Sequence, residues 1–445
     1  MEELKGESRP GLGIGKDESV ADHGSDYSVA PRTDFPVLLR PGRGGAALVY
    51  LDSAATSQDP MPVMSKLLDF QKFHYGAVGR SSHLLAEEST MAFEEARSKV
   101  ARFVGVDTDE IVFTSGATQS TNLLAYAIGN ASAGRGGVPA QRFRIGPGDN
   151  IVITRAEHHA NLIPWQELCL RTGAELRWLD LDGEGRIDLA TLNVINEHTK
   201  LVAFTHVSNV SGAITPVAQI VEAAHRVGAL TYLDACQSVP HLVVNLHDLD
   251  VDFAGWSAHK MEGPTGVGAL YGRKELLDAL PPYQFGGEMI ELVTMEKTTY
   301  AEPPARFEAG TQPVLQAIGF GYAVDYLSEL GMNKVEAWEK HLTTRLLKGM
   351  TDIPGIRVLG PAQNIERTGA VAFDVAGIHP HDVGQYLDAH GIAIRTGHHC
   401  AQPIHYHFGV HVSSRVSLAP YNTENDIDAF LNALSDVRSY FGVKD

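Results

Sequence analysis

The sequence predicts an α/β fold: a large domain built on a mostly parallel sheet, followed by a smaller α+β domain. Three observations carry this. From Leu48 onward, short β-branched runs alternate with longer amphipathic ones, the pattern of βαβ units. The 445 residues suffice for two or three domains, and 44% hydrophobic with 20% charged residues is a globular make-up. No block of roughly 20–50 residues repeats itself, which argues against a solenoid or propeller.

Taken in order, residues 1–30 are polar and Gly-rich, with acids at Glu2, Glu3, Glu7, Asp17, Glu18, Asp22 and Asp26. They are expected to form a disordered extension, since a secretory signal needs an apolar core and a transit peptide avoids acids. Strands are expected at 110–114, 150–154, 200–206, 229–234 and 252–256. Between the third and fourth, a helix over 216–227 places Val217, Ile220, Val221, Ala224 and Val227 on one face and is closed by Gly228. The smaller domain reads as a strand at 369–375, a helix at 381–390, strands at 391–395 and 415–418, and a closing helix from Glu424.

Charge and cysteine content narrow the function. Thirty-six Lys and Arg against 54 Asp and Glu give a net charge of −18, which repels nucleic acid and anionic membranes. No stretch approaches the roughly 18 apolar residues of a membrane span. The three cysteines, Cys169, Cys236 and Cys400, form no close pair, so a disulfide framework and a Cys-rich zinc site are both disfavoured. A reducing, cytoplasmic compartment is the expectation.

Ligands of parallel sheets gather at the C-terminal strand ends, and the candidate site residues follow those ends. Ser115-Gly116-Ala117-Thr118 leads into a helix, an arrangement that can cradle a phosphate or can be an ordinary cap. His158 and His159 are adjacent and point apart, which suits a single ring stacked on an aromatic ligand better than a metal. Asp234 ends one strand. Lys260 follows the next, in Ser257-Ala258-His259-Lys260, and is the only lysine between Lys200 and Lys274. An amine in a dry cleft can form a Schiff base with an aldehyde; in pyridoxal phosphate the ring nitrogen then needs an acid and the ring needs stacking.

Leu51-Asp52-Ser53-Ala54-Ala55, Glu157-His158-His159-Ala160-Asn161, Thr205 to Val210, Ser257 to Lys260, Phe307-Glu308-Ala309-Gly310-Thr311 and Arg395-Thr396-Gly397-His398-His399-Cys400-Ala401 occur in one order along the chain. In these motifs, from about Asp34 to the C-terminus, the chain resembles the SUF-type cysteine desulfurases of the short-loop group. These lie in the class V aminotransferase branch of the fold-type I pyridoxal-phosphate transferases. The resemblance implies a seven-stranded-type sheet in a large domain over 31–310, with 31–47 packing on the small domain of 311–445. Lys260 would carry the cofactor, Asp234 would pair with its ring nitrogen, Gln237 would bind its phenolate oxygen and His158 would stack on its ring. Thr118, Ser257 and His259 would bind the phosphate, joined by Thr311 from the second subunit of a homodimer. Asn209, Arg395 and Arg415 would hold the substrate, L-cysteine. Cys400 would take its sulfur as a persulfide, leaving L-alanine, with His398 and His399 placed to move protons.

A SufU-like or SufE-like acceptor feeding iron–sulfur assembly is the implied partner, with His381 offered as a shared zinc ligand; the chain holds no metal of its own in this reading. Cys169 fits the role of an apolar filler, and Cys236 that of a cleft-wall residue. Two departures stand out. Gly76-Ala77-Val78-Gly79-Arg80 lacks a histidine usual in the family, and 130–145 reads as an inserted surface loop. A selenocysteine lyase, another class V enzyme and a silent sulfur-storing subunit are the competing readings.

Overall fold

The marked strand ends converge on one edge of a seven-stranded sheet in a computed structural model that describes residues 24–79 and 81–443. Across the sheet the strands are Ile111–Thr114, Gly268–Gly272, Phe253–Ser257, Leu230–Asp234, Thr199–Thr205, Asn150–Thr154 and Glu175–Leu179. Only Gly268–Gly272 runs antiparallel to its neighbours. The central strands are buried along their length because helices cover both faces. One layer includes Leu84–Phe103, Val217–Arg226 and Val314–Leu330, which supply Phe93, Val221 and Phe320 to one core. The other includes Ala117–Ser132 and Ile163–Thr172, which supply Leu124 and Leu168 to a second. Register brings Asp234 opposite Gly255, so the acid and the Ser257-to-Lys260 turn stand side by side.

The smaller domain is a four-stranded antiparallel sheet, Ile356–Leu359, Val371–Val375, Ser413–Val416 and Arg395–Gly397, under the helices Met332–Thr351, Pro380–Ala389 and Glu424–Tyr440. The single strand expected at 391–395 is two: Ile392–Ala393 pairs in parallel with Val49–Tyr50, and Arg395–Gly397 turns into the main small-domain sheet. Val49 and Leu51 enter the core with Trp338, Leu342 and Phe430. Arg32 holds Asp426 at 3.1 Å, and the Phe35 ring lies 4.7 Å from that of Tyr421.

Packing differs from the expected boundaries in three places. Helix Val314–Leu330 lies against the large-domain helices Met61–Phe73 and Leu84–Phe103, so residues 311–330 go with the sheet and not with the small domain. Its largely apolar surface has a physical reason: Phe320 and Val324 join the first core, Ala323 and Tyr326 pack with Phe35 and Tyr421, and Val314 and Ile318 pack with Phe70. The extension expected over 1–30 lies outside the described residues as far as 23. The remainder is tied down: Ala30 is buried and its N–H donates to Pro420 O at 3.0 Å, and the Tyr27 ring meets Trp338 edge-on at 4.9 Å. The inserted segment is only partly a loop, because helix Ala117–Ser132 runs into it and the turn Pro139–Phe143 buries Ala140 and Phe143. Arg80 of the departing motif lies outside the described residues. Among those residues no helix is long and apolar enough to cross a membrane.

One buried ion pair locks the Phe307-to-Thr311 motif onto the sheet. Arg97 reaches both oxygens of Glu308, at 2.6 and 2.9 Å, and donates to Ile111 O; Glu308 in turn accepts the Phe113 N–H at 2.7 Å. The guanidinium is flanked by the Phe93 and Phe113 rings. Arg97 also meets the half-exposed Glu94 at 2.9 Å, so losing Arg97 strands the buried Glu308 carboxylate whereas losing Glu308 leaves the guanidinium one partner. Arg97→Met is therefore expected to cost about 3–5 kcal/mol in denaturant unfolding, Glu308→Gln less, and the pair Arg97→Met with Glu308→Met less than the sum of the singles.

Candidate active site

Between the strand ends of the large domain and the small-domain sheet lies a cavity of about 430 Å³. Its walls include Thr118, His158, Asn209, Asp234, Gln237, Ser257, His259 and Lys260 from the large domain, and Arg395, Cys400 and Arg415 from the small one. Residues separated by almost 300 positions thus share one space. Thr311 stands apart: it is exposed and lines a separate cleft with Phe113 and Gln119.

On the large-domain side, helix Ala117–Ser132 begins without a side-chain cap. Gly116 takes φ 141°, and a Cβ there would meet Ser257 Oγ at 3.1 Å; the Ala117 N–H donates to that same oxygen at 2.9 Å. The first-turn N–H groups, Thr118 and Ser257 form an anion cradle, and the glycine is required by backbone geometry and by space. Lys260 ends the turn Ala258–Lys260 that follows strand Phe253–Ser257. The Asp234 carboxylate accepts the Cys236 N–H at 3.0 Å. Gln237 donates to Ala54 O at 2.9 Å, leaving its second amide proton for another acceptor.

His158 Nδ1 accepts the Ala160 N–H at 3.0 Å, which puts the ring proton on Nε2. Burial, then the charge of Lys260, push its pKa down to about 3, so the ring is neutral. Its loop hangs on Glu157, a buried carboxyl contacted by Thr154, Asn161 and the Thr205 N–H. Burial raises Glu157 to about 8, against the pull of these donors. His259 is likewise held down, to about 4, by burial and Lys260.

On the small-domain side Arg415 is buried, donating to Asn209 O at 3.0 Å and to Asp52 at 3.3 Å, while its Nε has no partner among the described residues. Burial lowers its pKa to about 10. Arg395 reaches the other Asp52 oxygen at 3.1 Å. Cys400 is the exposed cysteine of the three. It follows His399 in a turn where both residues take left-handed φ, 50° and 54°, and its carbonyl accepts the His159 N–H at 2.6 Å. Cys236 lines the cavity, but burial and Asp234 push its thiol far up; Cys169 sits in the second core.

His381 is exposed at the start of helix Pro380–Ala389 and does not line the cavity. The cap of that helix is His379, whose Nδ1 accepts the His381 N–H. Asp52 stands in a motif the sequence marked but without the ion-pairing part it plays here, and Ser413 and His405 were not marked, because nothing in their spacing announces the partners they meet through the fold. Among the described residues no group of three or more His, Cys, Asp or Glu could hold a metal ion.

An anion cradle, a carboxylate, a neutral planar ring and an amine at adjacent strand ends are the donor set that pyridoxal phosphate requires, and they fit it. The fold and site define a fold-type I pyridoxal-phosphate enzyme. The family model for aminotransferase class-V matches residues 49–430, and this chain belongs to that family. It is 49% identical over 414 residues to "Probable cysteine desulfurase 2" of Mycobacterium leprae, covering 93% of this chain and 97% of the relative. Among solved structures it is similar to the cysteine desulfurase CsdA of Escherichia coli, with TM-score 0.82 and 36% identity, covering 92% of this chain and 98% of that one. The cysteine desulfurase of Thermococcus onnurineus NA1 gives TM-score 0.85 and 35% identity over 92% and 97%.

The lowered pKa of His158 has a measurable consequence. A group whose folded pKa lies below its unfolded value stabilises the fold fully above the unfolded value and loses that contribution as pH falls. Between pH 6.5 and about 3 the wild type should therefore lose stability to His158→Asn by about 1 kcal/mol per pH unit, read as converging urea midpoints.

Proposed function

We propose that the chain is a pyridoxal-phosphate-dependent cysteine desulfurase that takes sulfur from L-cysteine, leaving L-alanine and a persulfide on Cys400. One observation carries the reading: a single cavity holds Lys260 and Asp234 from one domain and Arg395, an exposed Cys400 and Arg415 from the other. When bound, the cofactor supplies the electron sink that makes the substrate α-proton removable and the carbon–sulfur bond breakable. Thr118, Ser257 and His259 bind its phosphate, Asp234 holds the proton on its ring nitrogen, and Gln237 donates to its phenolate oxygen. His158 stacks as a neutral ring and so adds no charge that would compete with Asp234. Lys260 would anchor the cofactor, and its amine would move the substrate α-proton. Arg415 clamps the substrate carboxylate, with Asn209 and Arg395 flanking it. Cys400 attacks the substrate sulfur as the thiolate.

Beyond this chemistry, the short Arg395-to-Ala401 loop supports assignment to the SUF-type group, with sulfur handed to a SufU-like or SufE-like acceptor for iron–sulfur assembly. His381, exposed on the small domain, is the residue offered to a zinc-bearing acceptor. The reading includes a homodimer: Thr311, which is exposed and does not line its own chain's cavity, would reach the phosphate of a second copy. The cytoplasm is the compartment proposed.

Alanine released from L-cysteine tests the reading. Cys400→Ala should bring alanine and sulfide formation to background while the cofactor absorbance stays; turnover persisting in that variant would favour a lyase that needs no cysteine nucleophile. Arg415→Lys, which keeps the charge and loses the fork, should raise KM for L-cysteine about tenfold or more with the cofactor still bound.

A further inference from the structure

The turn that carries Cys400 is held from behind by a directional chain of hydrogen bonds outside the cofactor and substrate contacts. His405, on helix Gln402–His407, lies 2.8 Å by Nδ1 from Ala401 O. A carbonyl only accepts, so Nδ1 carries the proton. Burial together with His398 and Arg415 disfavours a second proton on that ring, so Nε2 is an acceptor, and Ser413 Oγ lies 2.9 Å from it. The hydroxyl has one proton and gives it to His405. Its oxygen must then accept from His399 Nε2, also at 2.9 Å. The reverse polarity would need a doubly protonated His405.

The result fixes the tautomer of His399: proton on Nε2, lone pair on Nδ1. That Nδ1 is buried and has no partner among the described residues. The groups facing His399 are His398 and Cys400 on its own turn, His405 on the following helix, and Arg395 and Arg415 on the two adjoining strands, with the Asn209 amide on its carbonyl. Burial and these cations push its pKa to about 2, so it stays neutral at any working pH. Other ties in the turn bind its backbone or the neighbouring His398: Asn209 to His399 O at 2.8 Å, His159 N–H to Cys400 O, and the Cys400 N–H to His398 Nδ1 at 3.2 Å. The Ser413 chain is what holds the His399 side chain to the small domain. Two successive non-glycine residues in the left-handed region persist only where their surroundings over-determine them.

We propose that Ser413 and His405 are positioning residues for sulfur transfer: through the Ala401–His405–Ser413–His399 chain they fix the Nε2–H tautomer of His399 and the left-handed turn that presents Cys400. This rests on the reading of Cys400 as the sulfur acceptor. Neither residue lines the cavity, so their loss acts on the step that needs the turn in place.

The test uses the cofactor-loaded enzyme and the variants Ser413→Ala, Ser413→Thr and His405→Phe, with nitrogen-15 histidine NMR and His399→Gln to assign the signal. Ser413→Ala should load cofactor normally, lower kcat for alanine formation roughly tenfold with KM for L-cysteine little changed, and replace the single Nε2–H signature of His399 by a tautomer mixture. His405→Phe should do the same. Ser413→Thr, which keeps the hydroxyl, should restore both readouts. A wild-type His399 signature that is not the Nε2–H tautomer, or equal losses in the alanine and threonine variants, would overturn the proposal. The NMR readout is independent of turnover, so a failure of Cys400→Ala to abolish alanine formation would count against the desulfurase reading alone.

Discussion

One carboxylate, Asp52, stands between two guanidiniums, and the cleft is organised around it. Its oxygens meet Arg395 at 3.1 Å and Arg415 at 3.3 Å, and Arg415 is among the most buried cations in the molecule. Two like charges converge on one pocket only because a third group of opposite sign is fixed between them. Asp52 is fixed by backbone on both sides: before it, Leu51 N–H donates to Ala393 O and Leu51 O accepts the Ser417 N–H, and after it, Ala55 N–H donates to Asp52 O. The segment around Asp52 therefore binds small domain to large and presents the arginines to the strand ends where Asp234 and Lys260 lie. An anion entering this place meets two cations already oriented by an internal anion.

The histidines complement this arrangement by staying uncharged. Burial holds His158, His259 and His399 well below their usual range, with positive neighbours adding to the effect. Permanent positive charge is thereby confined to arginine and lysine, whose positions are fixed, while the rings supply shape and directed lone pairs. Such a division lets the pocket keep its electrostatic character across a wide pH range.

The parallel sheet was legible because buried strands write themselves as β-branched runs, and the residues at 110–114, 150–154 and 252–256 show this well. The candidate site followed from asking what stands after each run, which is a question about strand ends and not about distant contacts. Spatial order was beyond reach. Nothing local says that Ile111–Thr114 sits at the edge beside Gly268–Gly272, or that residue 49 pairs with residue 392. For the same reason the sequence does not say which core the helix Val314–Leu330 joins; its apolar surface fits either, and it packs on the large-domain helices. Thr311 and His381 were singled out only through the resemblance. Asp52 stood in a quoted motif without a role, because its partners lie 343 and 363 residues away; Ser413 and His405 were not marked at all, because a serine and a histidine eight residues apart announce no contact until a strand and a helix bring them together.

The pairing of Val49–Tyr50 with Ile392–Ala393 also bears on how the molecule is made. Asp52 and Arg395 are 343 residues apart, yet the small domain takes core side chains from both ends of the chain. During synthesis the large sheet, whose strands lie between residues 111 and 272, emerges whole while the segment near residue 50 still lacks its partner. Contacts of such long range close late. Cys400 is therefore put in place at the end, when the chain beneath it is already built.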